Sequence, residues 1–258
     1  MKLKILISFL FISLAASPLM AHDFWAKTEG PAADGKLTVA IGYGHNFPEG
    51  EKLKAEDVSE RYQPPKLFSP KGEVKLVPES EPGVFVTESP LTKDTYLITV
   101  DSKTSFSSQT PNGWVRKSKK EDPSATRCTF GANFGKSIVN IDVATNKEAA
   151  AKVVGQKLEI VPLINPYEVR VGQPFPVKVL FDQKPLARVS LGAYFAGFSE
   201  DNSAYAFSAY TNKDGEVSII PLMPGQWLAK VVKSDPYSDP AVCDNENYTA
   251  SFTFTVKE

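Results

Sequence analysis

Short alternating strands, each closed by a proline or glycine turn, recur along most of this chain and leave few architectures open to it. Residues 73–77 alternate polar and apolar, as do residues 84–87 after the turn Glu81-Pro82-Gly83, and residues 95–100 form the clearest strand of the first half. The second half is more regular. Segments 158–163, 175–181, 189–195, 205–211, 216–220, 226–232 and 248–256 are separated by turn signals such as Asn165-Pro166, Asp182-Gln183-Lys184-Pro185 and Asn212-Lys213-Asp214-Gly215. Strands and turns repeating about every ten residues mark a sandwich, and about seven such strands in about a hundred residues mark an immunoglobulin-like one. The expected fold is therefore all-β: an N-terminal β-sandwich over residues 22–153 and a C-terminal immunoglobulin-like β-sandwich over residues 154–258. The helix-friendly run Lys147-Glu148-Ala149-Ala150-Ala151-Lys152 links them, with the boundary at residues 152–156.

Other stretches interrupt this rhythm. Residues 36–43 read as a strand after Asp34-Gly35 and deliver Gly44-His45-Asn46-Phe47-Pro48 at its end, where Pro48 stops the ladder. Residues 49–61 are charged and hold at most a turn of helix. Residues 106–122, with Pro111-Asn112-Gly113-Trp114 and the basic run Arg116-Lys117-Ser118-Lys119-Lys120, read as a long exposed loop. In it Trp114 is either a loop anchor or a lid over a pocket. Residues 129–143 read as one or two strands around Gly131 and Gly135.

The first 21 residues have the form of a secretory signal peptide. Lys2 and Lys4 precede an apolar run over residues 5–16, too short to span a bilayer, and Leu19-Met20-Ala21 forms a cleavage region. The expected cut lies between Ala21 and His22. The mature chain carries no further segment apolar enough to span a membrane, so it is expected to be exported and soluble. The whole sequence has 29 Lys and Arg against 30 Asp and Glu, two of the lysines lying in the leader, and this balance excludes the basic face that nucleic acid requires. Two cysteines, Cys128 and Cys243, in an oxidising compartment form either one disulfide or two separate buried thiols.

The chain has two histidines, and one of them, His22, stands at the expected new N-terminus. Once freed, its amine and an imidazole nitrogen can chelate one ion in a six-membered ring, and His45 at the neighbouring strand end can add a third nitrogen. Such an all-nitrogen brace suits Ni, Co, Cu or Zn, with affinity highest for copper. Asp23 can add an oxygen ligand or orient an imidazole. Phe24, Trp25 and Tyr43 either wall this site or are core aromatics. The sequence lacks Gly-x-Ser-x-Gly, a phosphate-binding glycine loop and HExxH. Acid pairs such as Glu200-Asp201 read as solvated loops.

Two groups of residues fall together in a recognisable order. One is Ala21-His22-Asp23-Phe24-Trp25 with Gly44-His45-Asn46-Phe47. The other runs from Leu158-Glu159-Ile160-Val161-Pro162 and Asn165-Pro166-Tyr167 through Asp182-Gln183-Lys184-Pro185-Leu186, Pro224-Gly225-Gln226-Trp227 and Ser251-Phe252-Thr253-Phe254. In these the chain resembles a family of exported bacterial proteins, long catalogued as a domain of unknown function and described as periplasmic components of cobalt and nickel uptake systems. That resemblance implies a periplasmic location, a nickel or cobalt ion as ligand, and an inner-membrane transporter component as partner. It carries over to His22 and His45 as the residues at its two histidine positions. A copper enzyme built on the same brace, and a metal-free adhesion or scaffold module, are the alternatives.

Overall fold

The structure, a computed structural model, describes residues 22–142, 146–199 and 204–258, so the expected signal peptide over residues 1–21 lies outside the described residues. The first half contributes β1 (Asp23–Pro31), β2 (Leu37–Gly44), β3 (Lys66–Ser69), β4 (Gly72–Val74), β5 (Leu76–Pro78), β6 (Val84–Thr87), β7 (Thr95–Asp101), β8 (Ser105–Thr110), β9 (Gly113–Val115) and β10 (Arg127–Asn140), with a short helix α1 (Ala55–Arg61). After α2 (Lys147–Ala150) come β11 (Leu158–Pro162), β12 (Phe175–Phe181), β13 (Lys184–Pro185), β14 (Ser190–Phe195), β15 (Phe207–Tyr210), β16 (Glu216–Ile219), β17 (Gly225–Pro236) and β18 (Asn245–Val256). The fold is all-β, as the turn spacing predicts. No helix among the described residues is long and apolar enough to cross a membrane.

Among the described residues the strands form three sheets. A ten-stranded sheet runs β15-β14-β17-β18-β10-β7-β3-β4, with β8 and β9 extending from β10. A four-stranded sheet, β1-β2-β6-β5, closes the first half over a core that includes Leu37, Val39, Leu67, Ile98 and Val100. A second four-stranded sheet, formed by β11, β12, β13 and β16, closes the second half over Phe175, Trp227, Phe252 and their neighbours. Two sandwich cores are thus present, but they share one sheet.

The join is a parallel seam in which β10 pairs with β18 from Thr129↔Asn245 to Ser137↔Thr253. At its start Cys128 and Cys243 are joined in a disulfide, 115 residues apart in sequence and 4.9 Å apart at Cα. The Cys128 N–H donates to Asp244 Oδ2 at 2.8 Å, and Lys119 pairs with the same carboxylate. Farther along, the fully buried Lys136 of β10 pairs with the fully buried Glu159 of β11. Glu159 also accepts the backbone N–H groups of Val154 and Gly155, at 2.9 and 3.1 Å, while Gln156 donates to Asp101 at 2.6 Å. The segment that reads as an inter-domain link is therefore pinned to the seam by buried polar contacts. Burial pulls the Lys136 amine down and pushes the Asp101 carboxyl up from their ordinary values.

One local expectation is corrected and another is narrowed to one of its alternatives. Residues 106–122 do not form one long loop: β8 and β9 make a hairpin, with Gln109 opposite Trp114, turned at Pro111-Asn112-Gly113. Its basic run is not merely solvated, since Lys119 and Lys120 pair with Asp244 and Asp239 and hold the hairpin against the β17–β18 connection. Trp114 stands 53% exposed at the hairpin. The stretch around Gly131 and Gly135 is one continuous strand of 14 residues. Gly135 permits β1 to cross it, because a Cβ there would lie 2.9 Å from the Ala26 nitrogen.

Candidate metal centre

β1, whose sequence pattern carries no strand signal, holds the site. Alternate residues of a strand face opposite ways. Phe24 and Ala26 therefore enter the first core, while Trp25 packs with Phe47, Tyr194 and Leu228 between the two halves. Side chains from β18 fasten the strand down: Ser251 Oγ donates to the Phe24 carbonyl at 2.5 Å and Thr253 Oγ1 to the Ala26 carbonyl at 3.0 Å.

The same alternation sends Asp23 away from the histidines. Its carboxylate is buried on the Trp25 side, where it accepts from the Tyr194 hydroxyl at 2.5 Å and from the Lys230 ammonium at 2.6 Å. Burial and the Asp23 charge together push the Tyr194 phenol far above its usual value, so it stays a donor. Asp23, expected as an oxygen ligand or as a partner orienting an imidazole, is instead the anchor that fixes the start of β1 to β14 and β17.

His22 and His45 do meet. β1 and β2 pair antiparallel, with Asp23 opposite Gly44 and Phe24 opposite Tyr43. One further step of that register sets His22 opposite His45, and residues so placed have adjacent side chains. Their ring centroids lie 4.1 Å apart. On the diagonal, the Tyr43 ring stacks on His22 at 4.6 Å and 10° between planes. The Arg61 guanidinium lies 5.3 Å from the Tyr43 centroid at the outer edge. Of the three aromatics flagged in sequence, Tyr43 walls the site while Phe24 and Trp25 are core.

A third residue, Glu51, completes the group. The loop after β2 folds back through Gly50 N–H to Asn46 O at 3.1 Å and Glu51 N–H to Tyr43 O at 2.7 Å. This brings Glu51 Oε1 within 3.3 Å of His22 Nε2. Among the described residues, His22, His45 and Glu51 offer ligand atoms that all lie within 4.8 Å of one another. Burial, and then the neighbouring His45, hold the His22 pKa below its usual 6.5, against the upward pull of Glu51. A neutral imidazole is the form that binds metal. Nothing in the charged stretch around Glu51 distinguishes it from Glu49 or Glu56. Only the loop's closure onto Tyr43 does.

Gly44 makes that closure possible. Its φ is +133°, and a Cβ there would lie 2.8 Å from Glu51 Cγ. Gly44→Ala is expected to cost about 1–3 kcal/mol in backbone strain and to push the Glu51 carboxylate off His22. A crystal structure and a thermal melt of the variant check both effects.

A family model described as "Domain of unknown function (DUF4198)" matches residues 19–235. No curated protein matches the chain. Among solved structures, the D0-D1 domain of Intimin is 16% identical, with 90% of this chain and 97% of that one covered, at a TM-score of 0.21. The D00-D0 domain of Intimin is 12% identical, with 92% and 99% covered, also at 0.21. At such scores these likenesses have no bearing on the site.

Proposed function

The chain belongs to the family described as Domain of unknown function (DUF4198), and from that premise we propose that it is an exported, periplasmic protein that captures a transition-metal ion at His22 and His45. The ion is nickel, cobalt or copper, and an inner-membrane uptake component takes it on. One observation carries this reading: the chain's two histidines stand side by side, 4.1 Å between ring centroids, at the residue where a signal peptidase would free an amino group. Amine, His22 imidazole and His45 imidazole supply three nitrogens. Such a donor set accepts Ni(II), Co(II) and Cu(II), tightest for Cu(II). The transport role rests on the resemblance to nickel and cobalt uptake components.

Isothermal titration of protein beginning at His22 tests the proposal. Binding of at least one of these ions in the micromolar range or tighter is expected. His45→Ala, and separately two extra residues placed before His22, are each expected to weaken it at least about 100-fold, about 2.7 kcal/mol. Binding no tighter than about millimolar for every ion would remove the capture role.

A further inference from the structure

Glu51 reads at first sight as a fourth ligand, but the connectivity of histidine argues otherwise. A six-membered chelate ring with the His22 amine can close only through Nδ1, because the Nε2 lone pair points away from the residue's own backbone. Nε2 is the atom that faces Glu51 Oε1, at 3.3 Å. Resting on the capture reading above, we propose that Glu51 is a positioning residue: it accepts the Nε2–H of His22, fixes the tautomer that leaves Nδ1 unprotonated, and so presents Nδ1 to the ion beside the amine. A ligating imidazole commonly donates its other N–H to a carboxylate, which orients the ring and raises its basicity.

The site is built for this contact. The backbone bonds Glu51 N–H to Tyr43 O and Gly50 N–H to Asn46 O set the approach of the carboxylate. The missing Cβ at Gly44 leaves room for its stem. The Tyr43 ring, stacked nearly parallel on the imidazole, limits ring rotation. Glu51 lies outside the two segments that carry the family resemblance and outside the histidine pair read from sequence.

Cu(II) is the probe, added to protein beginning at His22 and to its Glu51→Ala and Glu51→Gln variants. Glu51 is half exposed, so both variants are expected to keep the fold. Glu51→Ala is expected to lose about 10- to 100-fold in Cu(II) affinity. Glu51→Gln keeps most of it, since an amide oxygen still accepts the N–H. Visible absorption and the number of directly bound nitrogens by electron paramagnetic resonance stay as in the wild type. The electron spin echo signal of one remote imidazole nitrogen changes. Unchanged affinity and an unchanged remote-nitrogen signal would overturn the positioning role. So would loss of an oxygen donor in Glu51→Ala, which would make Glu51 a ligand.

Should the wild type bind no Cu(II), the capture role falls on that result. Imidazole nitrogen NMR of the metal-free protein still decides the contact. A hydrogen-bonded Nε2–H on His22 that is lost in Glu51→Ala supports it, and identical spectra refute it.

Discussion

Replacing Cys128 and Cys243 together by serine is expected to destabilise the protein by about 2–5 kcal/mol, read as a lower denaturant midpoint in the double variant and in reduced wild type. The bridge closes 115 residues of chain, and in the chain-entropy model a loop of about 100 residues gives about 4.7 kcal/mol. Its position adds a second reason for a large effect. The bridge lies next to Thr129↔Asn245, the first pair of the parallel seam, and such non-local pairings carry a high closure entropy. Refolding should therefore slow in the double variant. A variant that melts and refolds like the wild type would show that the seam zips without its staple.

Breaking the buried ion pair is the other large effect. Lys136→Met leaves Glu159 buried with no cation against it, a situation that costs about 3–5 kcal/mol. Lys136→Met with Glu159→Gln should recover much of that loss, because the buried charge is gone and an amide oxygen still accepts a backbone N–H of the 154–155 segment. Urea denaturation of the single and double variants measures the difference. Equal stability of the two would mean that the pair's charges do not govern this part of the seam.

Local chemistry was legible in the sequence, and non-local pairing was not. Turn residues such as Asn212 to Gly215 and strands such as residues 175–181 could be read because their signals lie within a few residues of one another. The parallel β10–β18 seam joins segments more than a hundred residues apart and leaves no local trace. β1 has no strand signal in its sequence because Asp23, Phe24, Trp25 and Ala26 are all buried, with Phe24 and Ala26 in one core and Trp25 in another, so polar–apolar alternation is lost. Lys136 sits between Gly135 and Ser137 with no apolar alternation to mark it as buried, and only the tertiary approach of Glu159 makes its burial tolerable.

The candidate site divides the same way. Two histidines, one of them beside a cleavage motif, are visible in the primary structure. Their meeting depends on a hairpin register that β1 supplies. Asp23, adjacent in sequence, goes to the opposite face and serves as an anchor. Glu51, six residues beyond His45, is returned by the loop.

Anomalous diffraction from crystals of protein beginning at His22, grown with Ni(II), tests the central claim most directly. A single strong peak between the His22 Nδ1, its amine and the His45 ring is the expected result. An ion bound elsewhere on the surface, with the two imidazoles left unligated, would contradict it.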